Sequence, residues 1–155
     1  MKMEKSMIKD GKPVRILMAD DDEDDRFMAH EAMDEMNVPG TIHFVENGEE
    51  LMEYLFKKGK FADREDPACP DIILLDLNMP RKDGREALKE IKSHPALRHI
   101  PVIVLTTSRA EEDISYTYKL GASSYITKPD SFDGLVSVMK SLSAYWFDVV
   151  TLPDR

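Results

Sequence analysis

Six consecutive carboxylates, Asp20 to Asp25, follow the apolar run VRILMA at 14 to 19. Mutual repulsion makes such a run expensive unless it holds a cation or is spread along a solvated turn. Three further polar signals stand after other apolar runs: Asp76 after DIILL, Thr106-Thr107 after PVIVL, and Lys128-Pro129 after SYIT. Carboxylates, a hydroxyl and an ammonium are the groups that hold a hard cation and an oxyanion side by side, provided one rim of the fold collects them.

A calcium-binding loop is the first reading of the acidic run to test, because Asp20, Asp22, Asp24 and Glu31 fall at its positions 1, 3, 5 and 12. Position 6 of such a loop needs glycine for a sharp turn, and here it is Asp25. The segment before the run also has a strand pattern where that motif needs a helix. The more economical assignment keeps Asp20 and Asp21 at the strand end, makes Asp22 the cap of the following helix, and leaves the other acids in its first turn, where the macrodipole favours negative charge.

The 155 residues suit one domain with a sizeable core, at 42% hydrophobic and 33% charged. A net charge of −9 argues against direct nucleic-acid binding, which draws on clustered Lys and Arg. The single Cys69 cannot form an internal disulfide, and no apolar stretch approaches the roughly eighteen residues of a membrane span. The N-terminus lacks the apolar centre of a signal peptide, so a cytoplasmic protein is expected. His30, His43, His94 and His99 are scattered over different elements without metal-ligand spacing.

Apolar β-rich runs alternate with helical patterns. Strands are predicted at 14 to 19, 41 to 46, 71 to 77, 101 to 107 and 124 to 127. Helices are predicted around Met28 to Met36, from Asn47-Gly48 to Phe56, at 86 to 91, at 111 to 121 and from Ser131 to about Val150. Asn37 to Gly40 stops the first helix, and 57 to 70 is an unusually long loop. Five strands each followed by a helix imply an α/β fold: a doubly wound, five-stranded parallel sheet with helices on both faces. In that class the functional crevice lies beyond the carboxyl ends of the strands, at the switch point in strand order. Asp20, Asp21, Asp76, Thr106 and Lys128 are therefore predicted to converge on one rim.

Asp20-Asp21 after the first strand, Asp76 within LLDLNMPRKDG, Thr106 within VLTTS and Lys128-Pro129 within YITKP resemble the receiver domain of bacterial two-component response regulators. The resemblance covers about 14 to 150, with 1 to 13 as an N-terminal extension, 151 to 155 as a tail, and no output domain. It implies that Asp76 accepts a phosphoryl group from a kinase histidine. It implies also that Asp21, Asp76 and the backbone carbonyl of Asn78 hold Mg²⁺, with Asp20 contributing through a metal-bound water. Thr106 and Lys128 then bind phosphoryl oxygens, Thr106 and Tyr125 form the switch pair, and the Lys128-Pro129 bond is usually cis in the family. These assignments agree with the chemistry of phosphoryl transfer, which needs cations and aligned donors more than covalent machinery. Pro129 biases Lys128 toward an extended backbone at the strand end.

Each residue also has an ordinary structural role: Asp76 as a turn cap, Thr106 and Thr107 as strand-end β-formers, Lys128 as a surface lysine, Tyr125 as a buried aromatic. A rival from another class is a haloacid-dehalogenase-type phosphatase, which needs a second acid two residues after its Asp nucleophile. Here that position is Asn78, which cannot donate a carboxylic proton. A non-phosphorylated pseudo-receiver is the other alternative, and the intact set of five site residues argues against it.

After Pro129 the sequence has room for one helix and a tail, so output is expected to pass through noncovalent contacts. Asp130 after Lys-Pro, the extended loop before the third strand and the ending SAYWFDVVTLP are similar to small stand-alone receivers serving bacterial phytochromes, which implies a phytochrome-type sensor histidine kinase as partner. On the last helix, 100° steps put Phe132, Leu135, Val136, Met139, Trp146 and Val150 on one face. Val138, Leu142, Tyr145 and Val149 widen the apolar arc to roughly 200°, about twice what packing on one core needs. That second side is the candidate interface of a homodimer.

Overall fold

The computed structural model describes residues 8–9, 12–36, 40–64 and 69–153. Two short strands, β1 (Ile8–Lys9) and β2 (Lys12–Pro13), pair antiparallel, a small addition within the expected N-terminal extension. The five predicted strands follow as β3 (Arg15–Ala19), β4 (Thr41–Val45), β5 (Ile72–Leu75), β6 (Val102–Thr106) and β7 (Ser124–Thr127). They form one parallel sheet in the order β4-β3-β5-β6-β7. The chain leaves β3 toward one edge, then returns to its other side, so the switch point lies between β3 and β5.

Strict alternation of side chains explains why these strands read as unbroken apolar runs. Ile16, Met18, Ile72, Leu74, Ile103 and Leu105 face one layer with Ala29, Ala32, Met33, Leu135, Val136 and Met139. Leu17, Ala19, Ile73, Leu75, Val102 and Val104 face the other with Leu51, Met52, Leu55, Leu88 and Ile91. Both faces of the central strands are buried, as parallel sheets require. The helices α1 (Glu23–Met36) and α5 (Phe132–Ser143) cover the first face, and α2 (Gly48–Phe56) and α3 (Gly84–Ser93), with α4 (Glu111–Leu120) beside them, the second. No helix among the described residues is long and apolar enough to cross a membrane.

The caps follow the sequence signals. Asp22 accepts from the Asp25 N–H at 3.1 Å, and Asn47 and Ser131 cap α2 and α5. Gly121 closes α4 at φ 114°, a left-handed conformation that glycine adopts without strain. The third predicted helix starts two residues earlier than its apolar pattern, because Asp83 and Glu86 form a capping box. Gly84 lets that helix press on the end of β5: a Cβ there would stand 2.2 Å from the Asp76 carbonyl oxygen.

Two expectations change. The strand predicted at 71 to 77 ends at Leu75; the chain turns out of the ladder at Asp76, whose N–H still donates to the Ala19 carbonyl at 3.0 Å. The last helix is not uninterrupted, since Ala144–Val149 winds as a π-helix. The wider turn rotates the end of the apolar stripe, so Phe147 joins Trp146 against the core and Val150 lies beyond the helix. The predicted long loop contains a 3₁₀ turn at Gly59–Phe61; its residues 65 to 68, like the helix stop at 37 to 39, lie outside the described residues.

Candidate functional site

Sheet register brings the strand ends together before any side chain is considered. Asp20 and Asp76 follow the paired residues Ala19 and Leu75, and the Lys128 N–H donates to the Thr106 carbonyl at 2.8 Å. The side chains then close on one another. Thr106 Oγ1 donates to Asp76 Oδ1 at 2.7 Å, and the Asn78 N–H donates to the same oxygen at 3.2 Å. Lys128 Nζ donates to Asp76 Oδ2 at 3.1 Å and to Asp25 Oδ2 at 2.7 Å.

The Lys128 ammonium also stands 2.7 Å from Asp20 Oδ2, yet that buried oxygen has no aligned donor. Proximity supplies attraction there without a well-directed hydrogen bond. Asp20 Oδ1, by contrast, accepts from the Asp22 N–H at 2.9 Å. Thr106 and Asp20 are buried and Asp76 nearly so, at 0%, 1% and 5% exposure, while Asp21 lies exposed at the rim. Thr107 is also exposed, so the hydroxyl that reaches the site is that of Thr106.

Burial governs the electrostatics. Desolvation pushes Asp20 up to about 6 against the opposing pull of Lys128 and the Asp22 N–H, with the Asp76 charge adding to the rise. Burial alone would lower Lys128; its contacts with Asp20 and Asp25 and the charge of Asp76 outweigh that and hold it above the ordinary lysine range. The ammonium is therefore a fixed cation.

The receiver domain model of the response regulators matches residues 16–151. The chain belongs to the response regulator receiver domain family. This receiver is 36% identical to response regulator Rcp1 of Synechocystis sp. over 91% of its own length and 94% of that protein. Among solved structures it resembles the phosphorylated cyanobacterial phytochrome response regulator RcpA, with a TM-score of 0.83, 41% identity, and coverage of 91% of this chain and 99% of that one. The Mn²⁺-bound form of Rcp1 gives a TM-score of 0.83 at 35% identity, covering 92% and 100%. It is thus the receiver domain of a two-component response regulator, and the phosphatase and pseudo-receiver alternatives are not favoured.

In this receiver the donor set fits a hard divalent ion. Asp20, Asp21 and Asp76 each offer a carboxylate oxygen, all within 4.8 Å of one another. Oxygen donors of this kind suit Mg²⁺ or Mn²⁺, and the buried Asp20 oxygen without an aligned donor is one that a cation or its water would satisfy. His30, Glu31 and Asp34 make a second grouping on α1; His30 and Glu31 are adjacent in sequence and largely solvent-facing.

Tyr125 lies half-buried on β7, and its hydroxyl donates to the Ser108 carbonyl at 2.9 Å in the loop that follows Thr106. Ser108 Oγ in turn donates to Asp113, which Arg85 grips through two hydrogen bonds of 2.7 and 2.8 Å. Among the described residues no peptide bond is cis, so Lys128-Pro129 departs from the geometry the resemblance implied. Sequence reasoning missed Asp25 as a partner of Lys128. Its place in the first turn of α1 already accounted for its charge, and nothing in the sequence ties it to a lysine 103 residues away.

Proposed function

We propose that this receiver takes a phosphoryl group from the histidine of a sensor kinase onto Asp76. An Asp76 carboxylate oxygen bonds to phosphorus as the bond from phosphorus to the histidine nitrogen breaks, and the imidazole keeps that electron pair. Thr106 and Lys128 then move from the carboxylate oxygens to the phosphoryl oxygens, and Asp20, Asp21, Asp76 and the Asn78 carbonyl would hold Mg²⁺. When bound, Mg²⁺ supplies positive charge against the negative charge of the transferring group. The observation that carries this reading is the Asp76 carboxylate itself, held from opposite oxygens by Thr106 and Lys128 beside the acidic pair.

The likeness to RcpA, a cyanobacterial phytochrome response regulator, supports a phytochrome-type sensor kinase as the phosphodonor; a cytoplasmic location and output through noncovalent contacts complete the proposal. A homodimer is part of the reading. Tyr145 and Val149 are exposed at 53% and 71%, and Val138 and Leu142 are half-buried at the margin of the core. With Ile126 and Trp146, three of these side chains line a cavity of about 500 Å³ between β7 and α5. Phosphorylation would strengthen or rearrange pairing there through Thr106 and Tyr125.

Incubation with acetyl phosphate tests the chemistry. The expected result is a base-labile, acid-stable phosphoryl adduct that requires Mg²⁺ and disappears with EDTA. Sustained phosphoester turnover without an adduct would restore the phosphatase alternative.

A further inference from the structure

Three carboxylates among the described residues stand around the Lys128 ammonium, Asp20, Asp25 and Asp76, at 2.7, 2.7 and 3.1 Å from Nζ; Asp25 and Asp76 accept its hydrogen bonds, and Asp20 is held by charge and proximity. Their surroundings differ. The side chains of Asp20 and Asp76 are 1% and 6% exposed, whereas that of Asp25 is 23% exposed. A buried carboxylate left without its cation is strongly disfavoured, while a partly exposed one can take water instead. Asp25 is also mounted differently: it belongs to the first turn of α1, where its backbone N–H is fixed by Asp22, and not to a strand end.

We propose that Asp25 is a positioning residue that holds Lys128 in the unphosphorylated receiver and yields it to the phosphoryl group. The inference rests on Asp76 being the phosphoacceptor. Once Asp20 and Asp76 turn their oxygens to a divalent cation, Asp25 is the carboxylate that remains for Lys128. A phosphoryl group on Asp76 must then win the ammonium from Asp25, which swings into water. The exchange sets how tightly the site binds a phosphoryl group, and it connects the end of β7 to α1, the helix that packs against α5.

The consequence is a pair of effects of opposite sign. Replacing Asp25 with Asn removes a negative charge from the rim of the cation site, and Lys128 leans more heavily on Asp20 and Asp76. Mg²⁺ binding should therefore weaken. The phosphoryl group no longer competes with Asp25, so at saturating Mg²⁺ its binding should tighten. A purely structural role in the first turn of α1 would move both affinities in the same direction.

Calorimetric titration of the full chain with Mg²⁺ alone, and with beryllofluoride at saturating Mg²⁺ as the phosphoryl mimic, reads both effects. Asp25→Asn is expected to weaken Mg²⁺ and tighten beryllofluoride, each by about threefold, the scale of a partly exposed charged pair. Asp25→Glu should restore both toward the parent values. Asp25→Ser, another short polar residue for the first turn, is run in parallel so that a folding defect of one variant does not decide the result. Unchanged affinities, or both weakened together, would overturn the role of Asp25 while leaving the phosphoacceptor reading intact. Failure of the unmodified protein to bind beryllofluoride with Mg²⁺ would overturn both.

Discussion

Thr106 Oγ1 donates to Asp76 Oδ1 across 2.7 Å, with both groups withdrawn from solvent. The hydroxyl satisfies a buried carboxylate oxygen, and in the proposed phosphorylated state it would donate to a phosphoryl oxygen instead. Thr106→Ala is expected to destabilise the unphosphorylated protein by about 1.5–3 kcal/mol, the scale of a hydrogen bond to a charged group, and Thr106→Ser by much less. Urea denaturation measures both. Equal losses for Ala and Ser would show that the methyl group, not the hydroxyl, matters.

The acidic site should oppose folding in the metal-free protein near neutral pH. Asp20 is raised from 3.8 to about 6 in the fold, so the unfolded chain loses this proton first. Relative to acidic conditions, the favourable contribution is fully present below pH 4 and is lost as pH rises through 6. Asp20→Asn should therefore stabilise the metal-free protein at pH 8 by on the order of 1–3 kcal/mol and give little or no gain at pH 4. Thermal melts in EDTA at the two pH values check this; a variant less stable than the parent at pH 8 would contradict the stated cause.

Arg85 and Asp113 join α3 to α4 by a two-pronged ion pair, and Ser108 adds a third hydrogen bond to the same carboxylate. The hydrogen bonds from Arg85 and Ser108 lower Asp113 to about 2. A depressed acid contributes stability above its unfolded value, and that stability is lost as pH falls from about 4 toward 2. In Arg85→Met the Asp113 carboxyl titration, followed by NMR, should move back up toward the ordinary aspartate range. A midpoint still near 2 would assign the shift to Ser108 alone. Because Ser108 also receives the Tyr125 hydroxyl, the same variant should loosen the loop after β6.

Much of this arrangement was legible in the sequence, for identifiable reasons. The central strands were readable because burial on both faces leaves unbroken apolar runs such as IILL, and their ends announced the site because Asp20, Asp76, Thr106 and Lys128 interrupt those runs. What escaped the sequence depended on geometry that no local pattern carries. Asp25 satisfies a helix start whether or not a distant lysine reaches it. The turn at Ala144–Val149 breaks the 100° periodicity that puts Val150 on the core face and leaves Phe147 off it. The β1–β2 pairing had a signal, the Asp10-Gly11 dipeptide typical of hairpin turns, but strands of two residues fall below any periodicity test.

The exposed side of α5 and its π-helical extension should govern assembly. Tyr145→Glu with Val149→Glu is expected to give a folded monomer in analytical ultracentrifugation, since neither residue is buried in the single chain, while the parent sediments as a dimer. A parent that remains monomeric at tens of micromolar, with and without beryllofluoride, would rule out the homodimer.

In the proposed function a single carboxylate, that of Asp76, carries the signal. Asp76 alone among the acids of the rim is held by a buried hydroxyl on one oxygen and a fixed cation on the other. The most direct measurement is borohydride trapping of the acyl phosphate after acetyl phosphate and Mg²⁺ treatment, with the reduced residue located by peptide mass spectrometry. A single reduced position, Asp76, is expected, with no adduct in Asp76→Asn. Reduction at Asp20, Asp21 or Asp25, or undiminished labelling of Asp76→Asn, would contradict it.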